Sequence, residues 1–187
     1  MSNKRISILS EAEIAELYSI PRFTLDQRKH FFSLNPNEEG AMKRLRNLQN
    51  KAYFILLLGY FRYKPIYAEF NLTDIKADLD FILDTYFSAK KLPRKALSTL
   101  QKNRLYRQIF QLTGYQSYDV SCQAKLQKHA AKTTSICVDP RYVLDECIDY
   151  LAVNAIVVPK YTTIQDVVSK ALSTEKLRTV TFIRHKL

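Results

Sequence analysis

Helix start signals recur along the whole chain, and they constrain the fold more than any other feature of the sequence. Ser10, Thr24, Asn35, Asp119 and Asp139 each precede a segment whose apolar residues recur at helical spacing. Side chains of these types accept hydrogen bonds from the unpaired backbone N–H groups of a first helical turn. We therefore predict a helix after each of the five residues.

Prolines, one glycine and further caps predict the remaining helix boundaries. The helix after Asn35 is predicted to run to about Tyr63 and to end before Pro65, because a proline cannot continue a helix. The other predicted boundaries are a cap at Thr73, a start at Pro93, a stop at Gly114 and a final cap at Thr162 or Thr163.

Strand signals are sparse. Only residues 156–158 and 179–183 form short β-like runs, and no hairpin signal occurs. Residues 53–61 are apolar around the whole helix circumference, which predicts that this segment lies at the centre of a core. The predicted fold class is mainly α, with several helices packed in series.

The positive charge is concentrated in one part of the chain. The formal net charge is +11, and residues 90–132 contain ten basic side chains and one acidic side chain, Asp119. A block of this density repels itself, and a polyanion such as nucleic acid would offset that repulsion. A solvated basic face with no partner remains the alternative.

One predicted helix in this block combines cations with side chains that can read bases. An apolar stripe runs along the helix from Pro93 to Thr113. Much of the opposite, exposed side is predicted to carry Lys95, Thr99, Lys102, Asn103, Tyr106 and Arg107. Asn pairs with adenine and Arg with guanine in the major groove. The helix is therefore predicted to act as the second helix of a helix-turn-helix, after a helix over about residues 74–87.

We predict a set of DNA-binding residues from these patterns and from a second basic group early in the helix after Asn35. Because that helix is predicted to be continuous, Arg44 and Lys51 would share one face, and Lys43 and Arg46 another. The full predicted set is Lys43, Arg44, Arg46, Lys90, Lys91, Arg94, Lys95, Thr99, Lys102, Asn103, Tyr106, Arg107, Lys125 and Lys128.

Several classes of chemistry are excluded or disfavoured. The three glycines are too far apart for a dinucleotide fingerprint or a P-loop, and the three cysteines contain no C-x-x-C pair. The three histidines show no metal-binding spacing, and no nucleophile motif occurs. We therefore expect no catalytic residue, no metal site and no cofactor in this chain, no membrane span, and a reducing compartment such as the cytoplasm.

An ordered series of stretches resembles the N-terminal region of replicative transposases of the Tn-three family. The series includes LSEAEIAELYSIP, FTLDQRKHFFSLNPNE, RLRNLQNKAYFILLLGYFR, LSTLQKNRLYRQIFQLTGYQSYD and DPRYVLDECIDYLAVNAIVVPKYTTIQDVVSKAL. The resemblance covers about residues 6–178. It implies a bacterial DNA-binding region that recognises the terminal inverted repeats of a transposon.

The resemblance also implies what lies elsewhere in the full-length protein. Strand cutting and joining would belong to a C-terminal Asp-Asp-Glu domain with a divalent metal, so we expect this chain to be a fragment. We predict DNA-binding subdomains at residues 1–70 and 71–135 and a helical linker at 136–187. The full-length protein could self-associate. Two alternatives remain open: a helical module that binds an acidic protein, and the DNA-binding part of another recombinase, such as an integrase.

Overall fold

The computed structural model describes residues 6–92 and 96–184 and confirms the mainly α class. Nine helices occur in this described part of the chain. They are α1 (Glu11–Tyr18), α2 (Leu25–Phe31), α3 (Pro36–Lys43), α4 (Leu48–Tyr63), α5 (Lys76–Phe87), α6 (Thr99–Thr113), α7 (Val120–Thr134), α8 (Pro140–Val153) and α9 (Tyr161–Arg184). None of them is long and apolar enough to cross a membrane.

The five predicted caps are confirmed by their hydrogen bonds. Thr24 and Asn35 form capping boxes, in which the cap side chain accepts from the backbone N–H three residues ahead and the side chain there accepts from the cap N–H. Ser10 and Glu13 exchange the same bonds. Asp119 and Asp139 accept from the N–H groups of Cys122 and Tyr142. The predicted stop at Gly114 is confirmed by its left-handed backbone, with φ 75°.

The predicted continuous helix over residues 36–63 is wrong. α3 ends at Lys43, and α4 begins at Leu48 after a new cap, Asn47. The Asn47 side chain accepts from the backbone N–H of Asn50 at 2.8 Å, which starts a second helix. Helical spacing of apolar residues continues through the break and therefore did not reveal it.

Three other helix boundaries and one β-like run also differ between the sequence prediction and the structure. Thr73 does not cap α5, which begins at Lys76 after Ile75 without a side-chain cap. α6 begins at Thr99 after a capping box formed by Ser98 and Gln101, whereas Pro93 lies outside the described residues. α9 begins at Tyr161, before Thr162 and Thr163, and it includes the β-like run 179–183.

By its contacts the chain divides into two compact units. Unit 1 is formed by the described residues of Met1–Leu17 and Ser117–Leu187, and unit 2 is Tyr18–Gln116. The predicted boundaries after residues 70 and 135 do not coincide with this division. The physical reason is that α4 packs against α2, α3, α5 and α6, while α7 packs against α8 and α9, so contacts cross both predicted boundaries.

The core of unit 2 is built around α4. Every residue from Ala52 to Phe61 is buried, as predicted for the apolar segment. Neighbouring helices therefore cover this segment on all sides. Aromatic rings close the packing: the Phe32 ring lies 6.0 Å from that of Tyr60, and the Phe61 ring lies 5.5 Å from that of Phe110.

Two buried acidic groups tie the helices of unit 2 together. Asp78 on α5 accepts hydrogen bonds from Arg28 Nε on α2 and from the Tyr60 hydroxyl on α4, both at 2.6 Å. Glu38 on α3 pairs with Arg62 on α4 at 2.5 Å. Arg62 also donates to the backbone carbonyl of Phe31 at 2.8 Å. These buried carboxylates are fully partnered, as burial of a charge requires.

Unit 1 is a separate helical assembly of α1, α7, α8 and α9. The Tyr161 hydroxyl accepts from the backbone N–H groups of Ile8 and Leu9, which attaches the N-terminal segment to the start of α9. Arg141 on α8 pairs with Glu13 on α1. Hydrogen bonds from Ser10, together with the Arg141 pairing, lower the pKa of Glu13 to about 2, so the pair stays charged at neutral pH.

We predict opposite stability effects for alanine at two helical glycines. A Cβ at Gly59 would collide with the Phe32 ring and lie 3.1 Å from the Phe31 carbonyl, whereas nothing lies within 4 Å of a Cβ at Gly40. Gly59→Ala should lower the free energy of unfolding by about 1–3 kcal/mol through overpacking. Gly40→Ala should raise it by about 0.5–1 kcal/mol through helix propensity. Urea denaturation measures both, and equal effects would contradict the packing described for α4.

Candidate nucleic-acid interface

The solvent-facing side of α6 carries a row of polar side chains at four-residue intervals. Thr99, Asn103, Arg107 and Gln111, here called the α6 row, are all exposed. The row extends over about 18 Å along the helix axis at 1.5 Å per residue. Leu100 and Arg104 flank it and are also exposed. Neither α6 nor its cap contains a carboxylate, and Arg104 and Arg107 give the middle of this surface a positive charge.

The local sequence explains why α6 turns this side outward. The Ser98 hydroxyl accepts from Gln101 N–H at 3.3 Å, and Gln101 Oε1 accepts from Ser98 N–H at 3.0 Å, which fixes the helix start. Leu105 and Ile109 are buried on the opposite side, and α6 packs against α4. The apolar residues thus determine which polar residues remain in water.

Two residues predicted to lie on this face do not. Tyr106 is only 3% exposed, and its hydroxyl accepts from the backbone N–H of Ala68 at 2.7 Å. Burial raises the pKa of Tyr106, so its hydroxyl stays neutral. Lys102 is half-buried, with its ammonium 4.4 Å from the centroid of the Phe70 ring. The prediction that both lie on the exposed face of α6 is therefore wrong.

Two further predicted residues, Arg94 and Lys95, lie outside the described residues. α5 ends at Phe87, and α6 begins at Thr99. A helix-turn-helix uses a turn of about three to four residues. The pair of α5 and α6 therefore differs from the motif that the sequence predicted, and each helix packs against α4 instead.

The second basic group lies at the break between α3 and α4. Lys43, Arg44 and Arg46 are all exposed, and Lys43 pairs with Glu39 at 2.9 Å. Because the two helices are separate here, the predicted shared faces of Arg44 with Lys51 and of Lys43 with Arg46 do not exist as faces of one helix.

Lys90 and Lys91 follow α5 and have a mixed electrostatic environment. Both are exposed and line a groove of about 720 Å³ in unit 2. The groove is also lined by Asp80 and Asp84. Nearby carboxylates weaken attraction of a phosphate, so this region is a poorer candidate than α6.

α7 in unit 1 carries a second basic surface. Lys125, Lys128 and Lys132, here called the α7 lysines, are exposed and recur at helical spacing. No carboxylate lies within the helix. Two lie beside it: Asp119, which caps its start, and Glu146 on α8, at 4.0 Å from His129. Hydrogen bonding from Cys122 N–H lowers the pKa of Asp119, which remains charged at the helix start.

Some basic side chains of the described chain are committed to ion pairs, whereas others are not. Arg28, Arg62 and Arg141 each pair with a carboxylate. Within residues 6–92 and 96–184, no ion pair is found for Arg104 or Arg107 on α6, or for Lys128 or Lys132 on α7. Arg104, Arg107, Lys128 and Lys132 are therefore available to an external anion, as are exposed cations outside these helices such as Arg22 and Arg44.

Sequence reasoning missed three members of these surfaces: Arg104, Gln111 and Lys132. The signal for Gln111 was present, since it continues the four-residue spacing of Thr99, Asn103 and Arg107. Arg104 was missed because the predicted exposed side was centred on Lys102 and Tyr106. No cluster of three or more metal-ligating side chains occurs in the described part of the chain.

A model of a known protein family matches residues 8–171. The chain belongs to this family, described as a domain of unknown function, DUF4158. The matched range includes most of both units of the DUF4158 chain. A search of curated proteins found no match.

We predict that Tyr106 of the DUF4158 chain acts in folding and not in DNA contact. Tyr106→Phe leaves the buried N–H of Ala68 without its partner, which should lower the free energy of unfolding by about 1–3 kcal/mol. Tyr67→Phe is the matched control, because Tyr67 is 38% exposed. This variant should change the free energy of unfolding by less than about 0.5 kcal/mol. Urea denaturation and a DNA-affinity titration of both variants check this. Weakened DNA binding by folded Tyr106→Phe, without loss of stability, would contradict it.

Proposed function

We propose that the chain is a double-stranded DNA-binding module in which the α6 row contacts the major groove. The observation that carries the proposal is the exposed row of Thr99, Asn103, Arg107 and Gln111 on a helix without carboxylates. An α-helix fits the major groove, which is about 12 Å wide.

The side chains of the row suit direct base readout. Arg107 can donate to the O6 and N7 atoms of guanine, and Asn103 and Gln111 can each form a bidentate pair with adenine. Thr99 can bond either base type, and the exposed Leu100 can contact a thymine methyl group. A face of this composition can discriminate sequences, which a face made only of lysines cannot do.

The α7 lysines suit a different task. Lysine is a flexible point charge that binds phosphates without reading sequence. Since each neutralised phosphate releases counterions, these residues would supply salt-dependent affinity. Within the proposal, α6 provides specificity and α7 provides additional backbone contacts.

The resemblance to Tn-three transposases supplies the proposed target. The chain would bind the terminal inverted repeats of its transposon as the N-terminal DNA-binding region of a replicative transposase. Catalysis would reside in a domain outside this chain, which itself contributes recognition only.

We predict that variants of the α6 row weaken and relax recognition of transposon-end DNA. Arg107→Ala and Asn103→Ala should each lower discrimination against the wrong base pair by about 1–3 kcal/mol. Arg22→Ala, at an exposed arginine outside α6, is the matched control and should retain discrimination. Fluorescence anisotropy with end duplexes carrying single base-pair changes measures this. Unchanged affinity and discrimination in both α6 variants would contradict the proposed contact.

For the α7 lysines we predict a change in salt dependence alone. Lys128→Ala and Lys132→Ala should each reduce the slope of log affinity against log salt by about 1 and leave base discrimination unchanged. Lys170→Ala, an exposed lysine on α9, serves as the control. Titrations at several salt concentrations check the slope. If the wild type shows neither a salt slope nor a preference for end DNA over random duplex, the chain is a protein-interaction module instead.

A further inference from the structure

The break between α3 and α4 lies alongside α6. A pocket of about 220 Å³ is lined by Leu45 of the break, Asn50 of α4 and Arg104 of α6. Arg44 and Arg46, on either side of Leu45, are exposed, and so is Arg104. These three arginines, here called the arginine edge, come from two elements that are distant in the sequence and that the fold brings together.

Neighbouring carboxylates do not offset the charge of the arginine edge. Residues 40–68 and 85–118 contain no Asp or Glu. On α3, Glu38 and Glu39 are each paired with a cation of their own, Arg62 and Lys43. Within the described part of the chain, no ion pair is found for any member of the arginine edge. The edge therefore suits an external anion.

The two sides of α6 differ in charge. At about 100° per residue, Lys102 and Arg104 lie on opposite sides of Asn103, which belongs to the α6 row. On the Lys102 side, the ammonium lies 4.4 Å from the centroid of the Phe70 ring, and Glu69, next to Phe70, is exposed. On the Arg104 side, the break adds two exposed guanidinium groups. Available positive charge is thus concentrated on one side of the α6 row.

A helix in the major groove is bordered by two phosphate backbones. An α-helix with its side chains is about 10–12 Å across and the groove is about 12 Å wide, so each side of the helix faces one strand. The planar guanidinium of arginine can donate two parallel hydrogen bonds to one phosphate. The side of α6 next to the break is therefore better suited to bind a strand than the side next to Glu69.

We propose that the arginine edge binds consecutive phosphates of one DNA strand and so determines which strand lies beside Arg104 when α6 enters the groove. These contacts position α6 and leave base readout to the α6 row. The inference rests on the proposed DNA-binding function, because α6 must occupy the groove for a strand to reach the break. It adds a defined orientation of the protein on the duplex.

Replacement of single phosphates by neutral methylphosphonates tests the proposal with the whole chain. Each transposon-end duplex carries one replacement, and the replaced position is moved along both strands. Fluorescence anisotropy should show wild-type binding weakened about three- to tenfold at neighbouring positions of one strand. These positions should adjoin the base pairs whose discrimination depends on Asn103 and Arg107.

Variants assign these phosphates to the arginine edge. The triple variant Arg44→Gln, Arg46→Gln, Arg104→Gln should fold, because no ion pair of the described chain is removed. Since its contacts are already lost, methylphosphonates at the same positions should weaken its binding by less than about twofold. The slope of log affinity against log salt should fall by about 1 for each arginine replaced.

Two controls separate position from charge. The corresponding triple lysine variant retains the charges and should keep the salt slope of the wild type. Lys128→Gln on α7 should lower the slope by about 1 but leave the methylphosphonate effects beside α6 unchanged.

The possible failures are distinguishable. If the effective positions are spread equally over both strands, or keep their full effect in the triple glutamine variant, the arginine edge does not bind a strand and the proposal is overturned. If base discrimination by Asn103 and Arg107 persists in that case, the proposed function stands without this inference. Equal binding of end and random duplexes, with methylphosphonate effects that the glutamine variant abolishes, would support the arginine edge and contradict sequence-specific recognition.

Discussion

Complete burial of the central part of α4 is the constraint on which unit 2 depends. Ten consecutive residues, from Ala52 to Phe61, are inaccessible, so α2, α3, α5 and α6 must pack around them. Apolar surface of this extent supplies the main favourable free energy of folding. Since α6 turns Leu105 and Ile109 inward, the side that carries Asn103 and Arg107 must face water. The candidate interface is thus a consequence of how the core is filled.

Ion pairing separates the charged side chains that stabilise the fold from those that are exposed to solvent. Asp78 and Glu38 are buried and accept hydrogen bonds from Arg28 and Arg62, so these arginines are committed to holding helices together. Removing one partner of a buried ion pair leaves the other charge buried without a partner, which lowers the stability of the fold by about 3–5 kcal/mol. No ion pair is found within the described chain for Arg104 and Arg107 of α6 or for Lys128 and Lys132 of α7. The net charge of +11 therefore includes exposed cations that no ion pair neutralises within the described chain.

Sequence reasoning predicted most helix starts because caps act locally. The side chains of Thr24, Asn35 and Asp119 bond to the backbone within three residues, so a short window contains the full signal. The break at residues 44–47 was missed because apolar spacing is preserved across it. The role of Tyr106 was missed because its partner, Ala68, is distant in the sequence, and only the packed structure brings them together. The face of α6 was therefore predicted in part: Thr99, Asn103 and Arg107 are on it, while Tyr106 and Lys102 are not.

Site-directed photo-crosslinking tests the central claim, that the exposed side of α6 contacts DNA, most directly. A benzophenone side chain would replace Asn103 on α6 or, as a control, Asp84 on the acidic exposed side of α5. Irradiation with a transposon-end duplex should give a protein–DNA adduct from position 103, reduced by unlabelled end duplex more than by random duplex. Position 84 should give little adduct. Equal crosslinking from both positions, or an adduct from position 84 alone, would contradict the account.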